Sequence, residues 1–136
     1  MSAVTRTLPA AAHSKPLIFI VDDEPVSAEI VAELLQLEGY RTRVFHDSRL
    51  AAEALSDSLV KPDVLLADFK MPGLNGMQLL ARGKAEIRGL KTVLMTGLAS
   101  DPALEEKGFC PDQWVTKPFP IMTLLKSVRT ALASPS

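Results

Sequence analysis

The sequence predicts an α/β fold in which a mostly parallel sheet carries helices on both faces. Short, strand-like apolar segments alternate along the chain with longer segments of helical periodicity. The connections between them are about two to eight residues long, as in compact α/β units. With 136 residues, of which 47% are hydrophobic, the chain has the length and composition of one globular domain.

The first strand and the first helix have well-marked ends. Leu17–Val21 is a continuous apolar run rich in branched side chains, which is typical of a parallel strand buried on both faces. Pro25 suits the first turn of a helix, and Gly39 suits its end. The apolar residues between them recur at helical spacing: Val26, Ile30, Leu34 and Leu37.

The second strand and helix follow directly. Tyr40–Phe45 is a short strand with Arg41 and Arg43 on one face, which favours a position at the edge of the sheet. Ser48 is a candidate N-cap for a helix that runs to about Ser58.

The middle of the chain repeats the alternation. Val64–Ala67 is a third buried strand, and Met77–Glu86 is a helix that follows a loop rich in proline and glycine. Thr92–Met95 is a fourth strand. Asp101–Lys107 is a short fourth helix, which has to end by Gly108.

The last strand and helix complete the pattern. Trp114–Thr116 is a fifth strand, and the final helix has an amphipathic face: Ile121, Leu124, Leu125, Val128 and Leu132. Five strands and five helices predict a flavodoxin-like doubly wound (βα)5 fold with strand order 2-1-3-4-5. We expect a flexible lead-in at 1–15, the domain at 16–133 and a tail at 134–136.

Composition excludes several classes of protein. Fifteen basic and sixteen acidic residues give a net charge of −1, which lacks the usual electrostatic signal of a nucleic-acid binder. The single cysteine, Cys110, excludes an intrachain disulfide and a cysteine zinc cluster, and it favours the cytoplasm. We find no apolar run long enough for an export signal or a membrane span.

Four of the five predicted strands end in charged or hydroxyl side chains. Asp22 and Asp23 end the first strand, Asp68 the third, Thr96 the fourth and Lys117 the fifth. In a doubly wound sheet these ends meet at one rim, so the residues are expected to form a single site.

This set of residues indicates phosphoryl chemistry. Three crowded carboxylates repel one another, so the pKa of at least one should rise unless a cation lies among them. Lys117 supplies one positive charge, and Mg²⁺ prefers carboxylate and carbonyl oxygens. A carboxylate, a metal, a lysine and a hydroxyl are the groups needed to bind and receive a phosphoryl group.

In these stretches the chain resembles the receiver domain of two-component response regulators. The resemblance covers residues 15–133, and its four motifs lie in order, each at a strand end: Ile18–Glu24, Asp68–Gly73, Leu94–Gly97 and Trp114–Phe119.

The resemblance implies a role for each residue of the site. Asp68 would be the phosphoacceptor, and Lys117 would contact the phosphoryl oxygens. Asp23, Asp68 and the backbone carbonyl of Lys70 would ligate Mg²⁺ or Mn²⁺ directly. Asp22 would act mainly through metal-bound water.

The resemblance also implies a conformational switch. Thr96 would hydrogen-bond the phosphoryl group, Trp114 would stand in for the switch aromatic behind it, and a cis peptide would precede Pro118. The phosphodonor would be a sensor histidine kinase or a histidine phosphotransfer protein. A protein target would dock on the face of the fourth helix, fifth strand and fifth helix. The domain would be a monomer or a phosphorylation-dependent dimer.

Two other classes of function compete with this interpretation. A haloacid-dehalogenase-like phosphatase would share the aspartate, threonine and lysine, but it needs a later acidic pair, and no Asp or Glu follows Lys117. A pseudo-receiver would bind partners without phosphorylation, although the full acceptor set argues against it. Phosphoryl uptake on Asp68 separates these alternatives.

Overall fold

The computed structural model of the protein describes residues 15–57, 59–97 and 108–135. Five strands lie in these ranges: β1 Leu17–Val21, β2 Arg41–Phe45, β3 Val64–Asp68, β4 Lys91–Thr96 and β5 Gln113–Thr116. The helices are α1 Pro25–Leu37, α2 Ser48–Asp57, α3 Gly76–Glu86 and α4 Ile121–Ala133. The predicted helix at Asp101–Lys107 lies outside the described residues, so α4 is the helix predicted as the fifth.

The strands form one parallel sheet in the order β2-β1-β3-β4-β5, which confirms the predicted topology. β2 is an edge strand, as its two arginines indicated. In the register of the sheet, Val21 pairs with Ala67, and Asp68 pairs with Met95. The carboxyl ends of the central strands therefore lie side by side.

Helices cover both faces of the sheet. α1 and α4 pack on one face around Ile18, Ile20 and Leu66, and α2 and α3 pack on the other around Phe19 and Leu65. Because side chains alternate between the faces of a strand, a central strand covered on both sides must be apolar at every position. None of the helices that the structure describes is long and apolar enough to cross a membrane.

The buried face of α1 differs from the stripe that its spacing suggested. Val26, Ile30 and Leu37 are 69%, 53% and 82% exposed. The buried residues are Ala28, Val31, Ala32 and Leu35. Both sets recur at helical spacing, so periodicity alone could not choose between them. The buried set has two alanines, whose small side chains let the helix lie close to the sheet.

Ser48 does not cap α2, contrary to the sequence prediction. The preceding Asp47 accepts the Arg49 N–H through Oδ1 at 2.7 Å. The Ser48 hydroxyl donates to the Pro72 carbonyl at 3.0 Å and accepts the Leu74 N–H at 3.1 Å. Ser48 therefore fastens α2 to the loop after β3, because two unpaired backbone groups of that loop lie within its reach.

Asp112 anchors the start of β5 to its neighbours. Its Oδ2 accepts the Thr92 N–H at 2.8 Å, the Thr92 hydroxyl at 3.0 Å and the Lys84 ammonium at 3.0 Å. Burial by itself would raise the pKa of Asp112, but the hydrogen bonds from Lys84 and Thr92 outweigh burial and hold that pKa below its ordinary value of 3.8.

We predict that Asp112→Asn lowers the free energy of unfolding at neutral pH by about 2 kcal/mol, the range for hydrogen bonds to a charged group. Because the folded-state pKa lies below 3.8, the contribution of the carboxylate is complete above that value and is lost as the pH falls through the folded-state pKa. Denaturant unfolding from neutral to acid pH tests this, with the exposed Asp57→Asn as control. A difference from wild type that stays undiminished in acid would contradict it.

Candidate functional site

The rim at the carboxyl ends of the strands brings three aspartates together. Asp22 and Asp23 lie in the turn between β1 and α1, and Asp68 is the last residue of β3. One carboxylate oxygen from each lies within 4.8 Å of the others. Asp22 and Asp68 are buried, and Asp23 is exposed, so the cluster opens to solvent on one side.

Lys117 reaches this cluster from the end of β5. Its Nζ lies 2.7 Å from Asp68 Oδ1 and 3.9 Å from Asp22 Oδ2. The Lys117 N–H donates to the Thr96 carbonyl at 2.8 Å, which ties the loop after β5 to the end of β4. The peptide between Lys117 and Pro118 is cis, as the resemblance implied.

Asp22 carries a buried charge that its neighbours compensate only in part. Its Oδ1 accepts the Glu24 N–H at 3.0 Å. Its Oδ2 is the one buried side-chain nitrogen or oxygen of the described residues that has no hydrogen-bond partner. Burial raises the pKa of Asp22, the charges of Asp68 and Asp23 raise it further, and the Glu24 N–H and Lys117 oppose them.

The residues of this cluster fit a hard divalent cation. Three carboxylates face a single ammonium, so the described cluster carries an excess of negative charge. All of the donors are oxygens of the kind that Mg²⁺ prefers, and the unpartnered Asp22 Oδ2 is a buried acceptor that a cation would satisfy.

A cavity of about 300 Å³ lies beside the cluster. Asp68, Lys70, Thr96, Gly97 and Lys117 line it. Phe69 and Lys70 line both this cavity and a neighbouring groove, which Asp23 also lines. An open cavity of this size next to a carboxylate can admit a phosphoryl group and its donor.

The two predicted switch residues lie on neighbouring strands. Thr96 is the last residue of β4, is 2% exposed, and pairs with Thr116 of β5. Trp114 pairs with Leu94 in the same ladder and is 39% exposed. The tryptophan therefore lies partly in solvent, two residues along β5 from the position opposite Thr96.

Sequence reasoning missed two residues that shape the site. His46, after β2, contacts the backbone carbonyl of Asp22. Gly76, the first residue of α3, lies against the backbone of Asp68, and its N–H donates to the Phe69 carbonyl at 2.9 Å. A glycine where a loop meets a helix was the available signal, since it often marks a close backbone approach.

Known proteins match both the sequence and the fold. The model of the response regulator receiver domain family matches residues 18–129. The probable transcriptional regulatory protein TcrX of Mycobacterium tuberculosis is 34% identical over 119 residues, which cover 85% of this chain and 49% of TcrX. The DNA-binding response regulator MtrA of Mycolicibacterium smegmatis is 34% identical over 118 residues, which cover 85% of this chain and 50% of MtrA.

A solved structure supports the same assignment of fold. A CheY-like response regulator receiver domain protein from Methanospirillum hungatei matches with a TM-score of 0.79 at 22% identity, over 88% of this chain and 94% of that one. The chain spans about half the length of TcrX and of MtrA. Receiver domains are phosphoacceptor switches rather than classical enzymes. Sequence, topology and the acidic rim agree, and the protein belongs to the receiver domain family of two-component response regulators.

Proposed function

We propose that Asp68 accepts a phosphoryl group from a phosphohistidine on a sensor histidine kinase or a histidine phosphotransfer protein. One observation carries this proposal: Lys117 Nζ lies 2.7 Å from Asp68 Oδ1 at the wall of an open cavity. A carboxylate nucleophile needs access for its substrate and positive charge for the oxygens that it receives, and this arrangement supplies both.

The transfer needs no further reactant. An Asp68 carboxylate oxygen attacks phosphorus while the bond from phosphorus to the donor's imidazole nitrogen breaks. The electron pair of that bond remains on the imidazole, and the product is an acyl phosphate on Asp68. The Lys117 ammonium balances the charge of the phosphoryl oxygens, and the Thr96 hydroxyl donates a hydrogen bond to one of them. Slow attack by water on the acyl phosphate resets the domain.

A divalent cation completes the proposed site. Asp23, Asp68 and the Lys70 backbone carbonyl would hold Mg²⁺ or Mn²⁺ directly, and Asp22 would act mainly through metal-bound water. When bound, the cation supplies charge neutralisation and orientation at the phosphoryl oxygens. The unpartnered Oδ2 of Asp22 and the excess of carboxylates over cations support this ligand set.

The output follows from the proposed switch. Thr96 moves toward the acyl phosphate, Trp114 follows it inward, and the face of β5 and α4, with the segment predicted as the fourth helix, changes its affinity for a protein target. Trp114 and Met122, at 39% and 62% exposed, are apolar groups on β5 and α4 that a protein partner can cover. We assign the domain to residues 16–133 and place it in the cytoplasm, as a monomer or a phosphorylation-dependent dimer without direct nucleic-acid binding.

Phosphoryl uptake tests the proposed function. Incubation with acetyl phosphate and Mg²⁺ should add one phosphoryl group to the intact protein, as measured by mass spectrometry. EDTA should prevent the addition, and Asp68→Asn should abolish it because an amide does not attack phosphorus. Asp63→Asn, which changes an aspartate at the other end of the sheet, should leave the addition intact.

Other results would assign the protein to another class. The absence of any adduct, with a folded protein and Mg²⁺ present, would indicate a pseudo-receiver. Sustained hydrolysis of small phosphate esters over many turnovers would indicate a phosphatase. An adduct that survives in Asp68→Asn would place the acceptor at another residue.

A further inference from the structure

Hydrogen bonds fix the turn that contains Asp22 and Asp23, and three of the four polar atoms of Asp22 take part in them. The Asp22 N–H donates to the Phe45 carbonyl at 3.0 Å. Oδ1 accepts the Glu24 N–H at 3.0 Å. The Asp22 carbonyl lies 3.2 Å from His46 Nδ1. Within the described residues only Oδ2 has no hydrogen-bond partner, and this atom lies 3.9 Å from Lys117 Nζ.

Among the residues that the structure describes, His46 is the one whose side chain makes a hydrogen bond to Asp22. A backbone carbonyl can only accept, so the contact requires a proton on Nδ1. The other ring nitrogen, Nε2, lies 3.9 Å from Glu29 Oε2 on α1. The imidazole therefore bridges the end of β2 to both β1 and α1, although 44% of its side chain is exposed.

We infer that His46 is a positioning residue for Mg²⁺ binding, acting through the backbone of Asp22. The inference deepens the proposed function and rests on it in one respect, since it takes the acidic cluster to be the Mg²⁺ site. His46 does not itself ligate the metal or touch the phosphoryl group.

The planarity of the peptide bond provides the physical link. The Asp22 carbonyl and the Asp23 N–H belong to one rigid peptide unit. A hydrogen bond on that carbonyl fixes the rotation of the unit, and so the direction in which the Asp23 side chain leaves the turn. Asp23 is exposed, so little packing holds it. Its orientation therefore depends on the hydrogen bonds of the turn, and the one from His46 acts on the peptide unit that leads into Asp23.

Mg²⁺ titration of the unphosphorylated protein by calorimetry tests the inference. His46→Ala should weaken Mg²⁺ binding about tenfold, as for loss of a residue that orients metal ligands. His46→Asn should return the dissociation constant to within about threefold of wild type, because the Asn amide places a donor near the position of Nδ1. A purely electrostatic effect of a protonated imidazole has the opposite sign, because removing a positive charge would tighten the binding of a cation.

Glu29→Gln provides the matched control, since it removes the carboxylate that lies 3.9 Å from Nε2 and keeps the hydrogen bond from His46 to Asp22. It should change the Mg²⁺ dissociation constant less than His46→Ala does. Equal effects of the two variants, an unchanged constant in His46→Ala, or no rescue by Asn would each overturn the inference. If the variants behave as expected but acetyl phosphate adds no phosphoryl group, the positioning role stands and the proposed function fails. A wild type that binds no Mg²⁺ overturns both.

Discussion

Gly76→Ala should destabilise the protein by about 3 kcal/mol or more, at the upper end of the cost of overpacking. An added Cβ would press against the carbonyl oxygen of Asp68, 2.8 Å from its carbonyl carbon and 2.9 Å from Leu94 Cδ1. Backbone atoms cannot rotate away as a side-chain end can, so either α3 or the end of β3 has to move. The acceptor Asp68 lies at that point, and we expect weaker phosphoryl uptake in whatever fraction of the variant folds.

Gly97→Ala is the matched control for this substitution. Gly97 lines the same cavity, yet a Cβ added there would meet no atom of the described residues within 4 Å. Its free energy of unfolding should stay within about 0.5 kcal/mol of wild type. Denaturant unfolding of the two variants checks both values. A Gly76→Ala protein as stable as Gly97→Ala would contradict the prediction, because it would show that the backbone before α3 can move away from Asp68 at little cost in stability.

The topology and the rim of the site could be predicted because each has a strong local signal. Leu17–Val21 and Val64–Ala67 are apolar at every position, a pattern that a sheet covered on both faces requires. Once the strands are parallel, their carboxyl ends must share one rim. Asp22, Asp68 and Lys117 therefore come close together whatever the details of the helices.

Details that depend on distant contacts could not be predicted. Val26 and Ala28 both fit helical spacing, and only the surface of the sheet determines which of them is buried. Ser48 looks like an N-cap in the sequence, but its hydroxyl donates a hydrogen bond to the carbonyl of Pro72, which lies far away along the chain. The contact of His46 with Asp22 depends on the pairing of β1 with β2, so no local sequence motif predicts it.

Asp22→Asn should have opposite effects on stability and on metal binding. In EDTA at neutral pH, the variant should be more stable than wild type by about 1 kcal/mol, because it removes a buried charge whose Oδ2 has no hydrogen-bond partner. With Mg²⁺, the wild type should gain more stability than the variant. Loss of a carboxylate that acts through metal-bound water should weaken Mg²⁺ binding by about 10–100-fold.

The pH dependence of the same comparison follows from the raised pKa of Asp22. Between pH 3.8, the ordinary pKa of an Asp carboxyl, and the folded-state pKa of Asp22, the folded protein holds the Asp22 proton more tightly than the unfolded chain does. The contribution of this group to the free energy of unfolding therefore decreases as the pH rises through that window. Above the window, the destabilisation caused by the ionised carboxylate stays constant. Well below pH 3.8, Asp22 is protonated in both the folded and the unfolded state. The stability advantage of Asp22→Asn should then shrink toward zero.

Exposed Glu33→Gln removes one negative charge from α1 without touching the cluster, and it separates a local effect from a change in net charge. Glu33→Gln should leave both the free energy of unfolding in EDTA and the Mg²⁺ dissociation constant near their wild-type values, because exposed charges are screened by solvent. If Asp22→Asn were less stable than wild type in EDTA, the Asp22 charge would already be compensated within the protein by the Glu24 N–H and Lys117. The cluster would then need no cation to be stable, and the strongest physical reason for placing Mg²⁺ beside Asp22 would be lost.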